Sequence, residues 1–215
     1  MLYYLSEYES LFGPLRLFRY LSFRCAGGLI TALVIGFIIS PFIIQKLRLF
    51  KMQQAFRDAK EVGKLADLHA GKHTTPTMGG WIIFIAVTLS TLLWARPTML
   101  VAVSLVVYLG LTLIGFADDF LKVTKRNSKG LPGRLKLAGQ ALLTVIAVLM
   151  LYTNKGTRAD LLELWVPFMS GPDPLWVMPV VIAGAFFFIV MAGSSNAINL
   201  TDGVDGLAIG CTVTA

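Results

Sequence analysis

Charge is what this chain has least of. Only 14% of its 215 residues are Asp, Glu, Lys or Arg, and acids are the scarcer sign, twelve against nineteen bases. A soluble domain carries about a quarter charged residues, so an ordinary soluble fold is excluded. Cysteine is nearly absent as well. Cys25 and Cys211 lie in or beside apolar runs without metal-type spacing, which excludes a disulfide framework and leaves two expected free thiols. His69 and His73 are the only histidines, and their polar loop makes them surface groups rather than metal ligands. A cleavable leader is not expected either. Arg16, Arg19 and Arg24 precede an apolar run too long for a signal-peptide core, with no clean small-x-small site after it.

What fills the chain instead is apolar. Hydrophobic residues make up 56%, the mean hydropathy is +0.72, and the apolar blocks approach twenty residues. That pattern predicts an all-α, polytopic membrane protein of a single membrane domain. Spans are expected over 25–45, 77–95, 97–117, 137–152 and 177–192, with a sixth begun over 207–215. Tyr3, Tyr4, Tyr8, Phe12 and Phe18 suit a membrane interface, and so do Trp165 and Trp176 in a surface loop over 153–176.

The net charge of +7 sits between the apolar blocks rather than along one soluble face, so it reads as a topology signal and not as a nucleic-acid surface. Segment 46–72 holds seven Lys/Arg against three acids, and 118–136 holds six against two. Together they carry thirteen of the nineteen bases, so the positive-inside rule puts both in the cytoplasm. Alternation adds segment 193–206 to that face. The N-terminus, the Arg96 turn and loop 153–176 then lie outside.

Three polar clusters fall on the cytoplasmic side. The first is Asp118-Asp119, at the expected end of the third span. A carboxylate at a helix C-terminus is disfavoured by about 0.3–1 kcal/mol, so something positive is expected beside the pair. Lys122, four residues on from Asp118, or a bound metal would serve; a solvated i,i+4 ion pair is the plain alternative. Neighbouring helical residues point about 100° apart. The two acids therefore cannot both aim at one point with the same geometry; one could bind a metal while the other handles a different oxygen.

The second cluster, Lys72-His73-Thr74-Thr75-Pro76-Thr77-Met78-Gly79-Gly80, opens the second span. Threonine hydroxyls and free backbone N–H groups beside Lys72 make an anion site. Capping plus a Gly79-Gly80 pair for close helix packing accounts for the same residues without using Lys72. In the third, Asn196, Asn199, Asp202 and Asp205 recur every three residues directly after a span, with Gly203 and Gly206 between them. Amides and carboxylates packed beside a bilayer are costly unless satisfied. A helix cap would use one or two of the four, so a binding role is expected for the set.

Asp118-Asp119-x-x-Lys122, Thr75-Pro76-Thr77-Met78-Gly79-Gly80 and Asn196-x-x-Asn199-x-Thr201-Asp202-Gly203-x-Asp205-Gly206-Leu207, in this order, resemble the bacterial phospho-N-acetylmuramoyl-pentapeptide transferases. These are a branch of the polyprenyl-phosphate N-acetylhexosamine-1-phosphate transferases. The forms of the second and third motifs favour this branch over the N-acetylglucosamine-1-phosphate relatives. The resemblance covers the whole chain but only the N-terminal part of the family pattern. A further metal-binding aspartate and a histidine-rich loop of the later half are missing, so the chain is expected to be a truncated piece, inactive alone. Thr74 stands where the family often has glycine.

The resemblance implies transfer of phospho-MurNAc-pentapeptide from UDP-MurNAc-pentapeptide to undecaprenyl phosphate, giving lipid I and UMP with Mg²⁺, on the cytoplasmic face of the inner membrane. It implies Asp118 and Asp119 as catalytic and metal-binding residues. Lys72, Thr77, Lys122, Asn196, Asn199, Asp202 and Asp205 would bind substrate, with Lys125 and Lys129 as further cations. The partners implied are both substrates and the lipid bilayer, with a homodimer allowed and no nucleic acid. Competing expectations are a UDP-GlcNAc-using relative, a secondary transporter built on intramembrane acids, and an inactive fragment that keeps the motifs.

Overall fold

The computed structural model describes residues 1–49, 78–125, 130–168 and 173–201, with the backbone alone at Leu200 and Thr201. The chain opens with two 3-10 helices, Leu2–Tyr8 and Gly13–Arg19. Then come α1 (Leu21–Leu49), α2 (Gly80–Trp94), α3 (Met99–Lys125) and α4 (Gly133–Thr153). A short α5 (Arg158–Leu162) leads into a two-residue antiparallel ladder, β1 (Glu163–Leu164) on β2 (Trp176–Val177), and α6 (Val180–Thr201) follows. Helices α1, α3, α4 and α6 are long and apolar enough to cross a bilayer. The protein is an all-α, multi-pass membrane protein.

The expected spans overlap these helices, but their bounds differ in an instructive way. The first span lengthens at both ends to 29 residues and carries Pro41 inside it; neighbouring groups in a membrane helix re-satisfy the hydrogen bond that proline removes. The second is shorter than expected, with 15 helical residues. Met78 is left-handed, at φ 70°, which keeps it out of the helix, and Gly79 rather than a threonine stands at the N-cap without a side-chain capping bond. Pro97 ends the helix at the other side: the backbone before it turns extended, Ala95 lying at ψ 145°.

The third and fifth spans were expected to stop where charge or polarity begins, at 117 and 192. Instead α3 runs on to Lys125 and α6 to Thr201. Hydropathy marks where the solvent changes, whereas a helix ends only where the backbone is broken. Neither Gly nor Pro follows Asp118 until Gly130, and Lys122 and Lys125 in the last turn complement the helix dipole. The loop expected over 153–176 is partly ordered by α5 and the β1–β2 pair, while Trp165 and Trp176 stay half exposed, as interface anchors should. The sixth span, 207–215, lies outside the described residues.

The chain divides into two compact units. The first comprises Met1–Val101 with Thr112–Pro132. Its α1 and α2 pack closely at Gly27 and Gly28. A Cβ on Gly27 would enter the Trp94 ring, Ser90 Oγ donates to the Gly28 carbonyl, and Trp94 Nε1 donates to Thr31 Oγ1 at 2.9 Å. Phe18 stacks on the indole and Phe23 meets it edge-on. The close-packing glycine pair is thus 27–28. Gly79 and Gly80, given that role from the sequence, have open space among the described residues.

The second unit comprises Ala102–Leu111 with Gly133–Ala215. Here α4 buries Gln140, Thr144, Ala147, Val148 and Leu151, spaced i, i+4, i+7, i+8 and i+11, one helical stripe. That stripe packs on α6. Leu161 of α5 is the most deeply buried large side chain.

Candidate functional site

In the first unit, Asp118 and Asp119 lie about two turns before the end of α3. The dipole acts only within the last turn, so it cannot be what calls for a cation here. Burial is. The Asp118 side chain is 5% exposed and that of Asp119 43%. A buried carboxylate costs several kcal/mol unless it is paired and hydrogen-bonded. Asp118 has both kinds of partner: Lys122 Nζ is 2.7 Å from Oδ2, and the Leu131 N–H donates to Oδ1 at 2.7 Å.

Lys122 also donates to Asp119 Oδ1 at 3.1 Å. Both aspartates reach the one ammonium with unlike geometry, Asp118 buried at 2.7 Å and Asp119 open at 3.1 Å. Lys122 is i+4 from one and i+3 from the other, and its long stem spans the 100° between them. The ammonium therefore serves a closed carboxylate and an open one together. Of the compensating charges the sequence offers, Lys122 is the one beside both carboxylates here.

Gly130 makes the Leu131 contact possible. Its φ is +56°, and a Cβ there would strike Asp118 Oδ1 and lie 2.8 Å from Lys122 Cε. Only glycine offers both the conformation and the space. Sequence reasoning missed Gly130 and Leu131, although Gly130-Leu131-Pro132 is a readable turn signal. Aromatic rings flank the aspartates on α3. Phe116 and Phe120 stack with centroids 5.8 Å apart, and Trp81 of α2 meets Phe116 edge-on at 5.3 Å. The start of α2 thereby comes to the level of the aspartate pair. Lys72 and Thr77, which precede α2, lie outside the described residues.

The second unit holds Asn196 and Asn199, both within α6 rather than in a loop. Asn196 Nδ2 donates to Gln140 Oε1 at 3.1 Å and to the Ala192 carbonyl at 2.8 Å. Gln140 Nε2 in turn donates to Ser195 Oγ at 3.3 Å, and Thr144 Oγ1 donates to the Gln140 carbonyl at 2.9 Å. Gln140, nearly fully buried, is the residue that holds Asn196, and sequence reasoning passed over it as part of a span. The signal was present: an amide four residues before a threonine inside an apolar run. Asn199 is exposed. Asp202 and Asp205 lie outside the described residues.

Among the described residues no three His, Cys, Asp or Glu side chains cluster as a metal cage. The Asp118–Asp119 pair nevertheless fits Mg²⁺ by donor type, since that ion is usually held by one or two carboxylates, with water and substrate phosphate completing its shell.

Comparison with known proteins agrees with the motifs. A phospho-N-acetylmuramoyl-pentapeptide-transferase of Opitutus terrae is 44% identical over 214 residues, covering 99% of this chain and 57% of the relative. Those of Methylacidiphilum infernorum and Syntrophus aciditrophicus are 41% and 39% identical, covering 99% and 100% of this chain and 58% and 57% of theirs. The chain thus spans a little under three fifths of the curated relatives it matches. The family model described as glycosyl transferase family 4 matches residues 100–215. That match takes in the aspartate pair, the Gln140–Asn196 contact and more than half of the chain, which belongs to glycosyl transferase family 4.

Proposed function

We propose that the protein transfers phospho-MurNAc-pentapeptide from UDP-MurNAc-pentapeptide to undecaprenyl phosphate, giving lipid I and UMP. The setting is the cytoplasmic face of a bacterial inner membrane. The observation that carries this reading is the closed and open carboxylates sharing one ammonium at the polar end of a membrane helix. The printed names of the relatives support the choice of substrates, and a homodimer is the assembly that goes with it.

In the reaction an oxygen of the lipid phosphate bonds to the sugar-linked phosphorus. The phosphoanhydride bond breaks, and UMP leaves with the bridging oxygen. The two phosphates repel each other, at 4 Å by about 4 kcal/mol per unit-charge pair for an effective dielectric near 20. Cations that approach both offset that cost. Lys122 is one, and the sequence offers Lys72, Lys125 and Lys129 besides. The aspartate pair would hold Mg²⁺ through its open member, Asp119, and the ion would neutralise charge on the transferring phosphoryl group.

The acids divide the work. Asp118, closed in by Lys122 and the Leu131 N–H, positions the ammonium. Asp119, half exposed, is the one suited to meet metal or phosphate. A phosphate monoester has its second pKa near 6, so the attacking oxygen is already ionised and needs no base; a single displacement follows. Asn196, Asn199, Asp202 and Asp205 would hold the nucleotide, with Lys72 and Thr77 as the anion site.

The test offers undecaprenyl phosphate with either UDP-MurNAc-pentapeptide or UDP-GlcNAc to membranes holding this sequence extended to the full length of its relatives. UMP and a lipid-linked product from the muramoyl nucleotide alone are expected. Product from UDP-GlcNAc alone would move the protein to the N-acetylglucosamine branch. Ion-driven uptake into proteoliposomes without product from either would make it a transporter.

A further inference from the structure

A groove of about 550 Å³ runs between α1 and α2, at the end where α1 begins and α2 finishes. Leu29, Ala32, Val87 and Val101 give it apolar walls, and Arg24 and Arg96 stand in its lining. The hydroxyl of Ser90 and the indole N–H of Trp94 are already spent on α1, so the walls ask for hydrocarbon rather than for a polar ligand.

The two arginines ask for something else. Both guanidinium groups lie over the single ring of Tyr3, at 5.1 Å and 5.3 Å from its centroid. Cation–π contact is worth about 0.5–2 kcal/mol, but it leaves both positive charges in place and gathers them around one ring. Among the described residues neither is paired with a carboxylate. Arg24 Nε is shut off from solvent and has no hydrogen-bond partner there. A buried guanidinium N–H without an acceptor is costly, and two adjacent cations favour an anion that both can reach. Guanidinium groups match phosphate oxygens particularly well.

We infer that this groove binds an anionic phospholipid, its acyl chain against Leu29, Ala32 and Val87 and its phosphodiester held by Arg24 and Arg96. The ligand needs an apolar tail and a phosphate on one molecule, and a membrane supplies that combination at the level where a helix leaves the bilayer. The site is separate from the aspartate pair and does not depend on the proposed reaction.

Native mass spectrometry of the purified protein tests this. Phosphatidylglycerol and phosphatidylcholine of matched acyl chains are supplied in equal amounts, with inorganic phosphate as a third arm. One retained phosphatidylglycerol is expected, in preference to phosphatidylcholine and untouched by phosphate. Arg24→Gln and Arg96→Gln should each weaken retention about fivefold, the usual worth of one basic residue at an anionic lipid surface. Ala32→Trp, which fills the groove and spares both arginines, should abolish it and guards against a variant that misfolds. Equal retention of the two lipids, displacement by phosphate alone, or undiminished binding in the Ala32→Trp protein would overturn the proposal. So would a second copy of the chain in place of lipid, seen as a dimer mass sensitive to the same substitutions.

Discussion

The two units satisfy buried polar groups in opposite ways. In the first, a carboxylate is closed in by a lysine and a loop amide. In the second, amides and hydroxyls of α4 and α6 pass hydrogen bonds among themselves without any formal charge. A charged arrangement is sensitive to the loss of a single member, because what remains is an unpaired ion. A neutral relay loses one hydrogen bond and keeps the others. The aspartate arrangement therefore has charge to offer an approaching phosphate or metal, whereas the amide relay offers neutral hydrogen-bonding groups alone.

That contrast can be broken by substitution. In a full-length version Asp119→Asn removes the open charge and should lower turnover at least about a hundredfold, as losing a preorganised charge-stabilising group does; UMP release measures it. Near wild-type turnover would remove Asp119 from the catalytic set. Asp118→Asn should do likewise through a displaced Lys122. If a trappable phospho-enzyme formed instead, the single displacement would be wrong.

Lys122→Met takes away the cation beside buried Asp118 and keeps the Leu131 N–H. The loss should be about 1–3 kcal/mol in detergent unfolding, below the ~3–5 for a fully buried pair because Lys122 keeps a third of its side chain in solvent. Gly130→Ala forces a side chain into a left-handed position against Asp118, at a cost of about 1–3 kcal/mol in the same measurement.

The smallest effect is expected in the other unit. Gln140→Leu removes the partner of Asn196 Nδ2, which still has the Ala192 carbonyl, and interhelical hydrogen bonds in membranes average about 0.6 kcal/mol. A loss from Gln140→Leu as large as that from Lys122→Met would erase the distinction between charged and neutral arrangements.

Much of this was legible beforehand. The apolar blocks coincide with helices because about twenty residues without charge have few alternatives. Asp118 with Lys122 could be read because a helix brings i and i+4 together whatever surrounds them. Helix ends were not legible from hydropathy, which records solvent preference and says nothing about where a backbone breaks. Contacts across distance were the other gap. Gln140 with Asn196 are 56 positions apart, Asp118 with Leu131 are 13 apart, and no local pattern announces either. Gly27-Gly28 was passed over for Gly79-Gly80 because two glycine pairs look alike until the partner helix is known.

Trp94 has a consequence for how this protein can be watched. Its indole is stacked by Phe18, hydrogen-bonded to Thr31 and set into the space Gly27 leaves, while Trp165 and Trp176 face outward. Trp81 is packed on Phe116 away from it; because Trp94 also lines the groove between α1 and α2, its ultraviolet emission, once the other three tryptophans are replaced by phenylalanine, is a gauge of that crevice, shifting colour when the hairpin loosens or a tail slides in.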